Sequence, residues 1–141
     1  MTAQSTESWL KAVSIVTALS ALPLAFSGFP GLSAIANLFV DLAFWPLDGR
    51  PTIAAPETRL FAAISGGLTI GVAAFTWMVA DRVYARDPAA ARAIILVGLT
   101  AWCATDSLGS IAAGAPMNVL INVLIWAAFV WPIATAPTKT V

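Results

Sequence analysis

Four long apolar runs limit what this chain of 141 residues can fold into. A helix needs about 20 apolar residues to cross the roughly 30 Å hydrocarbon core of a bilayer. The runs predict membrane-spanning helices at residues 10–29, 59–80, 91–112 and 116–136. We therefore predict an all-α integral membrane protein, a bundle of four transmembrane helices in a single domain over residues 1–141.

Composition supports the membrane class and excludes several functions. Apolar residues make up 60% of the chain and charged residues 10%, whereas soluble domains average about 45–50% and about 25%. The chain has seven Lys or Arg, seven Asp or Glu, no His and one Cys, Cys103. These counts argue against a water-soluble enzyme, a nucleic-acid binder, a histidine-based site and an intrachain disulfide. No cofactor and no metal is expected, and a non-catalytic role is favoured over an enzyme.

A segment between the first two runs, residues 32–45, is too short and too polar to span a membrane. Ser33, Asn37 and Asp41 recur every four positions in it and so share one helical face. This pattern predicts a short amphipathic helix, either at the membrane interface or tucked back into the bundle. Residues 47–58, which contain Pro and Gly, predict a loop.

The distribution of Lys and Arg predicts the orientation of the chain, because cytoplasmic loops carry an excess of these residues. Placing both termini in the cytoplasm leaves only Arg50 and Arg59 outside. The cations then inside are Lys11, Arg82, Arg86, Arg92 and Lys139. Residues 81–92 become a cytoplasmic loop. The length of the first run favours a retained helix over a cleaved signal peptide.

The third and fourth runs are predicted to form a helical hairpin that turns near Gly114. Residues equally far from the turn then lie at similar depth, and residues four apart share a slowly rotating face. The resulting pairs are Ser110 with Asn118, Asp106 with Asn122, and Trp102 with Trp126. The match in both depth and spacing predicts that these residues form the seam between the two helices.

Asp106 is the most informative residue of this seam. It lies 14 positions after Arg92, a depth of roughly 21 Å by helix rise. A carboxylate there costs about 2.5–3.5 kcal/mol on insertion scales, so it needs pairing, protonation or water. We predict an outer-leaflet polar cluster of Asp106, Asn122, Asn118, Arg59 and Asp41. The cluster is either interhelical glue or a ligand, ion or proton site.

Small and aromatic residues predict where the helices pack. Ala63, Gly67 and Gly71 repeat every four residues in the second run, a pattern that allows close helix contact within one chain or between copies. Gly98 belongs to the seam of the third run. Trp102 and Trp126 are placed near mid-bilayer, where they pack in the core or stack on a pigment or quinone.

One segment carries a resemblance to a known family. The Arg-led, Gly-rich stretch at residues 59–67, RLFAAISGG, together with the chain's size and helix number, resembles small DoxX-like bacterial membrane proteins. Some members of that group are linked to quinol-oxidising or thiosulfate-oxidising complexes. The resemblance implies the bacterial inner membrane and an accessory role, and it transfers no catalytic residue.

Three functions remain open on the sequence alone. The first is a non-catalytic accessory or assembly subunit of a membrane complex. The second is a homo-oligomeric small-molecule or proton-coupled transporter that uses Asp106. The third is a quinone-associated subunit of an oxidoreductase, with Trp102 and Trp126 at its site. The expected partners are the lipid bilayer and other membrane subunits or further copies of the chain, with no nucleic acid.

Overall fold

A computed structural model describes residues 2–29 and 31–136 of the chain. This part of the chain is helical and contains no strand. Its helices are α1 (Ala3–Ala25), α2 (Ser33–Phe44), α3 (Pro56–Val79), α4 (Pro88–Ala112) and α5 (Pro116–Thr135). All except the short α2 are long and apolar enough to cross a membrane. The predicted fold class, a helical membrane bundle with a short helix between the first two spans, is confirmed.

The turn between α3 and α4 is much shorter than the loop predicted at residues 81–92. The α3 helix continues without a break into a π-helical turn at Ala80–Tyr84, and α4 already begins at Pro88. Asp87 caps α4, because its carboxylate accepts a hydrogen bond from the Ala90 N–H at 2.9 Å. The charged residues that suggested a loop therefore lie mostly on helices.

The chain direction of the helices divides the bundle into two halves. We call the terminal half the end that holds the start of α1, the end of α3 with its π-helical turn, the start of α4 and the end of α5. The loop half is the opposite end, with α2, the loop after it and the α4–α5 turn. Lys11, Arg82, Arg86 and Arg92 belong to the terminal half, whereas Arg50 and Arg59 belong to the loop half. Lys139 lies outside the described residues.

An apolar core lies in the terminal half. Its buried members come from four elements: Leu10, Ala80, Tyr84, Ala91, Ile95, Leu99, Phe129 and Ile133. Trp102 and Trp126 pack against this core from the side and are only partly buried. Trp102 and Trp126 thus pack against the apolar core, at its edge rather than in its interior.

Helix α1 packs mainly on α3, and Gly66 permits the closest approach between them. A Cβ at Gly66 would lie 2.2 Å from the backbone nitrogen of Ala25, so only glycine fits there. Gly66, Ala73 and Ala80 are buried at intervals of seven residues, the spacing of a helix–helix seam.

Of the two alternatives for the stripe Ala63, Gly67 and Gly71, close packing within the chain is wrong at both glycines, and contact between copies is not tested. A Cβ at Gly67 or Gly71 would meet no heavy atom within 4 Å, and Ala63 is only partly buried. The contacting face of α3 lies one residue earlier, at Gly66, and one residue rotates the face by about 100°. Gly98 on α4 also faces open space, so it is not a packing glycine within this chain.

Side chains of α1 and α4 donate hydrogen bonds to backbone carbonyls of α5 in the terminal half. Pro132 has no N–H, so the Ala128 carbonyl one turn before it lacks its usual helical donor. The indole N–H of Trp9 on α1 donates to that carbonyl at 2.9 Å. Arg92 on α4 donates to the carbonyl of Ile133, which lies in the last turn of α5, where carbonyls lack intrahelical partners.

A salt bridge joins α1 to the end of α3 in the same half. The Lys11 Nζ lies 2.7 Å from a carboxylate oxygen of Glu7 and 2.7 Å from one of Asp81. Its ammonium is also 5.5 Å from the ring centre of Trp77, within range of a cation–π contact. Asp81, placed by the sequence in a loop, is therefore an interhelical partner.

Candidate functional site

Asp106 lies at the centre of a hydrogen-bonded cluster between α4 and α5. Its carboxylate Oδ1 accepts from the side-chain amide of Asn122 at 2.8 Å and from that of Asn118 at 2.9 Å. The hydroxyl of Ser110 lies 3.2 Å from the same oxygen and 2.8 Å from the backbone carbonyl of Asp106. Three donors thus converge on one oxygen of one carboxylate.

The α4–α5 turn sets the register that brings these residues together. Gly114 has a φ of +75°, a conformation that favours glycine, and the Ala115 N–H donates to the Ser110 carbonyl at 2.8 Å. The predicted pairs follow: Asn118 donates to Ser110 at 2.8 Å, and Asn122 donates to Asp106. The tight turn therefore makes the depth arithmetic of the sequence valid for both pairs.

The third predicted pair takes a different form. The indole N–H of Trp126 donates to the hydroxyl of Thr100 at 3.1 Å, two positions before Trp102. Trp102 lines the cavity described below, whereas Trp126 does not line it. The two tryptophans thus lie at similar depth but do not build a common wall.

Part of the cluster is left with free acceptors. Among the described residues no donor reaches Oδ2 of Asp106 or the amide oxygens of Asn118 and Asn122. The amide orientations follow from chemistry, because a carboxylate oxygen requires the NH₂ side of each amide. Within the same residues the one enclosed side-chain atom without a partner is Ser14 Oγ, so these acceptors are not sealed inside protein.

A cavity of about 810 Å³ lies beside the cluster in the loop half and is partly open. It occupies the space between α3 and α4, which hardly contact each other. Asp106, Asn118 and Asn122 lie on one wall. Phe61 on α3 and Phe39 on α2 also line the cavity. A volume of this size is in the range of small-molecule sites.

The cavity wall is apolar with a few hydroxyl groups and one charge. Ser20, Thr58, Ser65 and Thr69 supply hydroxyls from α1 and α3. Within the described part of the chain, Asp106 is the one charged residue of the lining. A concave apolar site with a few convergent polar groups has the usual make-up of a ligand pocket.

Asp41 and Arg59, which the sequence placed in the polar cluster, hold the loop after α2 instead. The Asp41 carboxylate accepts from the backbone N–H groups of Asp48 at 3.3 Å and Gly49 at 3.0 Å. Arg59 Nε donates to the Ile53 carbonyl at 3.2 Å. The prediction that these two residues join Asp106 is wrong, because loop backbone groups take up their hydrogen bonds.

Asn37 completes this arrangement, and sequence reasoning gave it no role in the site. Its side-chain oxygen accepts from the Ile53 N–H at 2.8 Å. The polar face of α2 is thus turned to its own following loop, and residues 51–53 of that loop line the cavity. The four-residue spacing of Asn37 and Asp41 was the signal, but it fitted a water-facing helix equally well.

The donor set is unsuited to a transition metal. Residues 2–29 and 31–136 contain no group of three His, Cys, Asp or Glu side chains that could hold a metal ion.

Comparisons of the chain with protein families, with characterised proteins and with solved structures find no match. The site must therefore be interpreted from its own geometry.

Proposed function

We propose that the protein is a membrane-embedded small-molecule binder, the substrate-binding unit of a homo-oligomeric carrier. The observation that carries this proposal is the partly open cavity with the free acceptors of Asp106 and Asn122 on its wall. Interhelical glue alone would leave Asp106 with no accessible space beside it. Four helices enclose little volume, so complete transport calls for more than one copy of the chain.

The ligand that suits this cavity is amphipathic. Apolar walls such as Phe61 and Ile125 accept a hydrocarbon body, and the Asp106 cluster accepts a polar end. The gap between α3 and α4 opens beside exposed apolar residues of both helices, including Phe61 and Leu108. We propose that ligands reach the site from the lipid through this gap, in a bacterial inner membrane with both termini cytoplasmic.

A pair of glycine variants on α4 tests binding. Gly109 lines the cavity and Gly98 does not, yet a side chain at either position meets no heavy atom within 4 Å of its Cβ. Radiolabelled decanol, titrated onto the protein in lipid nanodiscs, is the probe. We expect saturable binding to the wild type and to Gly98→Leu, and a roughly tenfold loss for Gly109→Leu, whose side chain takes up part of the cavity. Equal binding by both variants would contradict the proposal.

A second candidate, the accessory subunit of a membrane complex, is favoured by the outer face of α3. Gly67 and Gly71 leave room for a neighbouring helix, because a Cβ at either position meets no heavy atom within 4 Å. The resemblance of residues 59–67 to DoxX-like proteins points the same way. The mass of the particle extracted from native membranes in mild detergent separates the two functions, since an accessory subunit travels with other subunits.

A further inference from the structure

We infer that the polar end of the ligand is an organic cation that donates hydrogen bonds, such as a protonated amine, and that it competes with a proton at Asp106. This inference rests on the proposed binding function and names its substrate class. The starting point is the balance of donors and acceptors in the cluster around Asp106.

The amide donors of the cluster are already used. The two N–H groups of the Asn118 amide are directed to Asp106 and Ser110. Those of Asn122 are directed to Asp106 and, at the longer distance of 3.4 Å, to Ser107. The atoms left for a ligand are the Oδ2 of Asp106 and two amide oxygens, which all accept. A ligand whose polar end can only accept gains nothing there, whereas an ammonium carries several donors and no acceptor.

The charge of the site points to the same class. Asp106 is the single charged residue that lines the cavity in the described part of the chain. Helix α5 carries no charged residue, and the loop-half part of α1 carries none. On α2 and α3, Asp41 and Arg59 are directed to the loop backbone, and Glu57 is exposed. Among the described residues, no Lys or Arg side chain forms an ion pair with Asp106.

A carboxylate without a cation is unfavourable at this depth in a membrane. Two species can relieve it at Oδ2: a proton, which makes the side chain neutral, or a bound cation, which pairs with the charge. Both need the same oxygen, because Oδ1 already accepts three hydrogen bonds. Proton and cation should therefore exclude each other, which is the requirement for exchanging one for the other.

The test compares two probes that differ in one terminal group, decylammonium and decanol, in nanodiscs of zwitterionic lipid. We expect wild-type protein to bind decylammonium at least about tenfold more tightly than decanol, because hydrogen bonds to charged groups are the stronger ones. Asp106→Asn should reduce this ratio to about one while decanol binding persists. Gly109→Leu should weaken the binding of both probes, and Gly98→Leu should leave both unchanged.

A pH series on the wild-type chain keeps the inference testable if Asp106→Asn does not fold. Decylammonium affinity should fall on acidification, because a proton would occupy the same carboxylate oxygen, and decanol affinity should stay constant. Equal affinities for the two probes, or a pH-independent preference, would overturn the inference while leaving the proposed binding function intact. Absence of saturable binding for both probes would overturn the two together.

Discussion

The two halves of the bundle are built from the same four long helices but use their polar groups differently. In the terminal half, Lys11 pairs with Asp81, and Trp9 and Arg92 donate to carbonyls of α5 that lack helical partners. In the loop half, Asp106 receives three hydrogen bonds on one oxygen and keeps the other free beside a cavity. These groups of the terminal half are paired within the chain, whereas the cluster in the loop half leaves acceptors for something else.

The inserted helix α2 explains why the halves differ. Helix α2 and the loop after it lie at one end of the bundle, where α2 contacts α1 and α5. Phe39 of the helix and Ile53 of the loop line the cavity. The same four helices meet without this insertion at the other end, where Phe129 and Leu10 are fully buried. Closure in the terminal half therefore provides stability, whereas incomplete closure in the loop half leaves the cavity beside Asp106.

Replacing a phenylalanine by alanine should cost far more free energy of unfolding in the terminal half than beside the cavity. Phe129→Ala leaves a cavity in the closed core and should lower the free energy of unfolding by about 3 kcal/mol or more. Phe61→Ala removes a side chain that is 66% exposed beside an existing cavity, and it should cost less than about 1 kcal/mol. SDS-induced unfolding in mild detergent measures both. Similar losses for the two variants would contradict the division into a packed half and an open half.

Two neighbouring glycines on α3 should differ in how much their replacement by alanine changes the free energy of unfolding. Gly66→Ala places a Cβ 2.2 Å from the backbone of Ala25, and we expect it to lower the free energy of unfolding by about 1–3 kcal/mol. Gly67→Ala meets open space and should be neutral or stabilising by up to about 1 kcal/mol, as alanine favours helix. The same unfolding assay distinguishes them. If Gly67→Ala proved the damaging change, the assigned face of α3 would be wrong.

Two carboxylates should respond in opposite ways to neutralisation. Asp81→Asn removes the partner of Lys11 and Arg82 in the terminal half, so it should destabilise the fold. Asp106→Asn removes an uncompensated charge and keeps an oxygen that accepts from Asn118 and Asn122. Its free energy of unfolding should stay within about 1 kcal/mol of wild type or rise. A strong loss of stability with Asp106→Asn would favour the interpretation of this residue as interhelical glue.

The smallest expected effect concerns the link between Trp9 and α5. Trp9→Phe removes the indole N–H that donates to Ala128 together with part of the ring, and the lost hydrogen bond should cost about 0.6 kcal/mol. In a Pro132→Ala background, the backbone N–H of the new alanine can donate to that carbonyl, so the cost of Trp9→Phe should fall by about this amount. A double-mutant cycle gives the coupling directly. An undiminished cost in the Pro132→Ala background would show that the indole acts through packing instead.

The parts of the molecule that sequence predicted well depend on local geometry. The four spans follow from apolar run length, and the pairing of Asn118 with Ser110 and of Asn122 with Asp106 follows from helix rise on either side of a tight turn. Both predictions depend only on segments that are adjacent in the sequence, so contacts between distant segments do not affect them.

The predictions that were wrong depended on contacts between distant segments. Gly66 and Gly67 are both small, and composition cannot tell which of them meets α1. Arg59 and Asp41 are charged residues at the expected depth, but the loop after α2 takes up their hydrogen bonds. The lining of the cavity could not be predicted from sequence, because the cavity arises where α3 and α4 are kept apart rather than from any motif.

A ¹H–¹⁵N spectrum of the protein in nanodiscs, recorded with and without decylammonium, tests the central claim most directly. The side-chain amide of Asn122 reports on the loop half, and the indole N–H of Trp9 reports on the terminal half. We expect decylammonium to move the Asn122 signal in a saturable manner and to leave the Trp9 signal unchanged. An Asn122 signal that stays in place at saturating probe, or equal movement of both signals, would contradict a ligand site confined to the open half.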